Sequence, residues 1–67
     1  MIEYRCCALD ADNNVKVTEV TRYEGDDVAR LRAAIILANY QYPTVEAWDG
    51  ERLVCRLSKH GQHHEAA

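Results

Sequence analysis

No apolar run in this sequence approaches the roughly 20 residues that a membrane-spanning helix needs. No excess of positive charge is present either: 8 lysines and arginines stand against 11 acidic residues, for a net charge of −3. That balance lacks the basic field through which proteins gather nucleic acid or an anionic membrane surface. An RNA-binding sheet also needs several stacking aromatics on its strands, and one tryptophan in an acidic chain falls short of that. A cysteine framework is missing as well. There are 3 cysteines, and two of them, Cys6 and Cys7, are adjacent. In a strand, neighbours point to opposite faces and do not readily pair. Such usage fits a reducing compartment. The opening MIEYRCCALD lacks the basic region and long apolar stretch of a secretory leader. The expectation is a cytoplasmic protein with no nucleic-acid or membrane partner.

What is present is a chain of 67 residues, enough for one domain. A domain this short buries only about 60% of the surface its unfolded chain exposes, so its core is marginal. Disulfides, a metal, an unusually good core or self-association make up such a shortfall.

Two strand-like runs open the chain. Residues Ile2 to Leu9 end at the turn cluster Asp10-Ala11-Asp12-Asn13-Asn14, and Val15 to Tyr23 follows with three valines, two threonines and a tyrosine. Together they predict a hairpin. Glu24-Gly25-Asp26-Asp27 then opens a helix running to Asn39 or Tyr40, with Asp26 as N-cap and both aspartates at the positive end of the dipole. Asn39 suits a left-handed cap, and Pro43 prevents continuation. A second hairpin spans Pro43 to Leu57 around Asp49-Gly50. A three-residue loop, Trp48-Asp49-Gly50, would pair Val45 with Leu53 and put Val45, Ala47, Leu53, Cys55 and Leu57 on one face. Glu46, Arg52, Val54 and Arg56 would then occupy the other. The fold class is therefore α+β: a two-layer ββαββ sandwich, with a four-stranded antiparallel sheet and one helix on one face. The domain is residues 1–58, and 59–67 is a flexible tail carrying the histidines.

The helix carries the most information. At about 100° per residue, Val28, Leu31, Ile35 and Ala38 form one stripe, expected to cover the sheet. Opposite it lies a second apolar strip: Ala29, Ala33, Ile36, Leu37 and Tyr40. A helix apolar nearly all round is buried nearly all round, and one small sheet covers only one side. The second strip is thus expected to be an interface, most simply that of a symmetric homodimer. The competing reading is that alanines are merely good helix formers and that the tail folds over Ile36 and Tyr40.

Chemistry-bearing residues are sparse. Cys55, His60, His63 and His64 are suitable zinc ligands, but their spacing matches no standard finger and a Cys-x2-Cys pair is missing. Cys7 or Cys55 near a histidine would make a nucleophile–base pair, yet cysteine within a strand behaves as a small hydrophobe. So short a chain also has little scope for a substrate pocket. No catalytic residue and no cofactor are expected. The open sheet face, with Glu46, Arg52 and Arg56 beside Trp48, combines residue types that anchor interfaces. It is equally consistent with a solvated face of cross-strand ion pairs.

Val45-Glu46-Ala47-Trp48-Asp49-Gly50-Glu51-Arg52-Leu53-Val54-Cys55-Arg56-Leu57 and Tyr4-Arg5-Cys6-Cys7-Ala8-Leu9-Asp10-Ala11-Asp12 together resemble a group of very short uncharacterised bacterial proteins. These open with a strand ending Leu-Asp-x-Asp, carry a capped central helix, and end in a V-E-x-W-x-G-x-R-x-V-x-R-Leu hairpin. The resemblance spans residues 4 to 57 and rests on turn and packing residues. The chain departs from the pattern at Cys6-Cys7, at the glycine-free Asn13-Asn14 turn and in its His-containing tail. The resemblance implies the fold and no activity. The leading expectation is a non-enzymatic, self-associating interaction module that also binds another protein. The alternatives are a small metal-responsive protein using Cys55 and the tail histidines, or a small acidic inhibitor of another macromolecule.

Overall fold

The computed structural model describes residues 1–59 and the backbone of 63–65. Five strands and one helix follow in the order β1 (Ile2–Leu9), β2 (Val15–Tyr23), α1 (Asp26–Asn39), β3 (Thr44–Asp49), β4 (Arg52–Ser58) and β5 (His63–Glu65). The sheet is antiparallel throughout, ordered β2-β1-β3-β4-β5. Its four long strands and the helix form the expected ββαββ arrangement. The short β5 pairs with β4 through Cys55–Glu65, Arg56–His64 and Leu57–His63, so part of the segment expected to be a tail is drawn onto the sheet. Residues 60–62 and 66–67 lie outside the described residues.

The first hairpin closes without glycine because Asp10 and Asn13 divide the work. The Asp10 carboxylate accepts from the backbone N–H groups of Asp12 and Asn14, both at 2.9 Å. Asn13 donates to the Asp10 carbonyl at 3.0 Å and takes the left-handed conformation, φ 64°. Asparagine tolerates that region better than other non-glycine residues. A three-residue loop with its last residue left-handed is a standard hairpin closure.

The second hairpin departs from its expected register. Asp49 pairs with Arg52, so the loop is the two residues Gly50-Glu51. Gly50 has φ +60° and Glu51 is not left-handed, the pattern of a type II′ turn, which wants glycine first. The predicted Val45–Leu53 pair is not formed; Val45 faces Leu57. Pairing also steps between Ala47 and Trp48: Ala47 faces Cys55 and Trp48 faces Leu53, leaving Val54 as an extra residue. This bulge re-aims side chains. Val54 and Cys55 are both fully buried, and Arg52 arrives on the helix side rather than the open face. The alternation assumed in the sequence fails at that one residue.

The helix spans the expected residues, Asp26–Asn39, but its caps differ from expectation. Its N-cap is Gly25, extended and with no side-chain cap bond. Asp26 sits in the first turn instead, its carboxylate drawn away to Tyr4 and Arg52. Asn39 stays helical, its side-chain amide donating to the Ile35 carbonyl at 2.8 Å, and the chain leaves through an extended Tyr40.

The helix is rolled half a turn from the orientation its bulky residues suggest. Ala29, Ala33 and Ile36 face the sheet and are buried. They meet Tyr4, Cys6 and Ala8 of β1, Val45 and Ala47 of β3, and Val54, Cys55 and Leu57 of β4. Cys6, Ala47 and Cys55 stand side by side across three strands, so small residues line both sides of the contact and let helix and sheet approach closely. Leu37 packs against this core at its margin. Val28, Leu31 and Ile35 point to solvent at 41%, 62% and 42% exposure.

Candidate functional site

Of the interface strip expected from the sequence, Ala29, Ala33 and Ile36 are buried inside the chain's own core, Leu37 is half-buried and Tyr40 is 40% exposed. The strip as a whole therefore cannot meet a partner. The physical reason is size: alanines fit against a sheet whose matching positions are Cys6, Ala8, Ala47 and Cys55, and larger side chains would hold the layers apart. Ion pairs fix the roll. Arg32 makes a two-point contact with Glu19 of β2, both bonds at 2.8 Å, and holds that carboxyl below its usual range. Arg52 clamps Asp26 at 2.9 and 3.0 Å. With those contacts made, the stripe Val28, Leu31 and Ile35 has no position except outward. Sequence reasoning identified this stripe and assigned it to the wrong side; the small residues spaced along β1, β3 and β4 were the signal that could have placed it.

A polar junction joins the helix start to the second hairpin. The hydroxyl of the fully buried Tyr4 donates to Asp26 Oδ1 at 2.7 Å. Arg52 bridges from that carboxylate to Asp49, at 3.1 Å. Arg52 and then Tyr4 hold the Asp26 carboxyl down to about 2. Burial first, then the bond to Asp26, raises the Tyr4 phenol to about 12. At neutral pH the junction is a fixed arrangement of carboxylate, guanidinium and neutral phenol, with no group poised to exchange a proton.

On the open sheet face the structure brings together three of the four residues expected there. Glu46 accepts from Trp48 Nε1 at 3.2 Å and from Arg56 Nη1 at 2.6 Å. Arg56 also donates to Asn13 Oδ1 at 2.8 Å, and the Arg5 guanidinium lies 6.0 Å from the Trp48 ring centre, within cation–π range. Arg52 is absent from this group because the bulge turns it to Asp26. The charges of Glu46 and Arg56 are thus spent on each other, the arrangement of a self-satisfied sheet face.

All three cysteines are buried. Burial raises the Cys6 thiol to about 11, which keeps it protonated and a poor nucleophile at neutral pH. Among the described residues, no group of three or more His, Cys, Asp or Glu is placed to hold a metal ion. The proposed ligand set of Cys55 with His60, His63 and His64 depends on side chains outside the described residues. Open depressions among the described residues include two. One, of about 550 Å³, lies at the helix start; the other, about 400 Å³, is lined by Val17, Asn39, Tyr40, Gln41 and Tyr42. No helix among the described residues is long and apolar enough to cross a membrane. Comparison with family models, curated proteins and solved structures gives no match.

Proposed function

We propose that this chain is a non-enzymatic, self-associating interaction module, a homodimer in its simplest form, in which a second copy covers the outward helix stripe. The observation that carries the reading is the exposure of Val28, Leu31 and Ile35 on a helix whose alanines are turned inward. A 67-residue chain is short of buried apolar surface. Fully burying one such side chain contributes about 1.5–3 kcal/mol, and this chain leaves three of them only partly covered on adjacent turns. Contiguous apolar patches of this kind mark contacts. A self-complementary helix face is the simplest patch to close by two-fold symmetry. Binding rather than catalysis fits the junction and sheet face described above, where the titratable groups are committed to structural partners.

The test is the mass of the protein in solution by light scattering. Wild type is expected as a dimer or larger at micromolar concentration, and Leu31→Glu is expected to weaken the assembly at least tenfold with an unchanged circular dichroism spectrum. A wild-type protein that stays monomeric at several hundred micromolar overturns the reading. A dimer indifferent to Leu31→Glu removes the helix stripe as its contact.

A further inference from the structure

The sheet has an uncovered margin of a different kind. β2 is an outer strand in the order β2-β1-β3-β4-β5, nine residues long, with Val15 and Val20 at 54% and 58% exposure. One side of its backbone pairs with β1, and the other faces outward with its N–H and C=O groups unpaired among the described residues. Its irregularity is confined to the hairpin end, where pairing with β1 shifts at Ala8/Leu9, so Val17 to Tyr23 runs without a break. The strand contains no proline. Such an edge is a template for another strand unless it is blocked.

We infer that β2 pairs antiparallel with β2 of a second copy, in a register centred on Val20, continuing the sheet from one protomer into the next. The argument is charge complementarity. Two-fold antiparallel pairing places facing residues on the same side of the sheet. With Val20 opposite its own copy, Thr18 faces Arg22, Glu19 faces Thr21 and Val17 faces Tyr23; beyond this unbroken stretch the bulged Lys16, which also pairs with Asp10 at 3.6 Å, comes level with Glu24. No like charges oppose each other. Centring on Glu19 sets Lys16 against Arg22 and Glu19 against itself. Centring on Thr18 sets Val17 against Glu19, and centring on Thr21 sets Val20 against Arg22. The Val20 register also joins Val17 to Tyr23 of the second copy on the helix side. Both residues already flank the core there, so pairing extends the apolar layer across the margin. An aromatic facing a β-branched residue is a favourable cross-strand pair.

This goes beyond the helix contact, because the sheet margin and the solvent side of the helix are separate surfaces. Each can be closed by its own two-fold axis, and a protein using both forms an assembly larger than a dimer. A heterologous strand from another protein is the competing occupant. It would have no need of a self-complementary charge pattern.

The experiment places one cysteine at a time on the solvent-exposed side of β2 and oxidises the full chain mildly. Val20→Cys is expected to give a covalent dimer. Thr18→Cys and Arg22→Cys, separated from their own copies by two residues of stagger on each strand, are expected to stay monomeric alone and to cross-link when mixed. The native thiols are buried and serve as the internal background. Lys16→Glu and Glu24→Lys should each weaken self-association about three- to tenfold, and the double variant should restore it. Cross-linking of Thr18→Cys or Arg22→Cys alone equal to that of Val20→Cys, or a charge reversal without restoration, overturns the register. No cross-link from any of the three variants overturns the strand pairing. The cross-link formed by Val20→Cys is expected to persist when Leu31→Glu is added, so failure of the helix contact and failure of the strand pairing are read from different variants.

Discussion

Tyr4 and Asp26 show how two side chains 22 positions apart decide where a helix begins. Asp26 reads from the sequence as a cap, since it precedes the apolar repeat. In the fold a buried phenol and a two-point guanidinium compete for the same carboxylate and win. The guanidinium makes two parallel charge-assisted bonds to Asp26 where a cap would make one to backbone N–H. The pH dependence follows from the shifts. Asp26 titrates near 2 in the folded chain and near 4 when unfolded. Its contribution is therefore complete above about pH 4 and is lost as pH falls toward 2. Tyr4 is raised to about 12, so its contribution is complete below about pH 10 and is lost as pH rises through 12. Denaturant titrations across pH are expected to show both declines. Asp26→Asn should flatten the acid limb, and Tyr4→Phe the alkaline limb.

At the level of elements, what could be read from the sequence was local and what could not was tertiary. The two hairpins and the helix bounds follow from turn residues and from a change in apolar period, both visible in a short window. The roll of α1 does not, because two apolar stripes of similar strength run along it, and only the size of the residues beneath decides between them. Equally hidden was the Val54 bulge. Strict alternation along β4 is a sound assumption that one extra residue defeats, and it misplaced Arg52 while leaving Glu46 and Arg56 correctly placed. The fold class thus survived errors in the faces, whereas the candidate site did not, since a site is defined by which way side chains point. The close contact of Ala29 and Ala33 with Cys6, Ala47 and Cys55 is testable by overfilling it. Ala33→Leu is expected to destabilise the chain by about 1–3 kcal/mol in denaturant unfolding. Leu31→Ala, changing a larger residue on the outward side, should have little effect on the stability of the chain at high dilution.

For the whole molecule, the proposed self-association would tie stability to concentration. If a second copy supplies burial that the protomer lacks, folding and association are one equilibrium. Thermal midpoints of wild type should then rise by about 3–6 °C for each tenfold increase in protein, and those of a Leu31→Glu/Val20→Lys double variant should stay constant. A flat response in wild type would mean that the protomer is stable alone. The bulge in β4 has a further consequence, which concerns chain length. β4 spends one residue more between Cys55 and the turn than the facing strand uses, and Arg52 reaches the helix start because the bulge absorbs that residue and keeps Arg52 in step with Asp49. Removing Val54 would take out only the bulge: Ala47–Cys55, Trp48–Leu53 and Asp49–Arg52 would pair in unbroken succession, and the core would lose a fully buried valine. Arg52 would keep Asp49 as its partner and stay on the helix side, within reach of Asp26. In this strand, therefore, the stretch between Gly50 and Cys55 is one residue longer than its ladder needs, and the surplus residue is kept by what its side chain buries rather than by the backbone pairing.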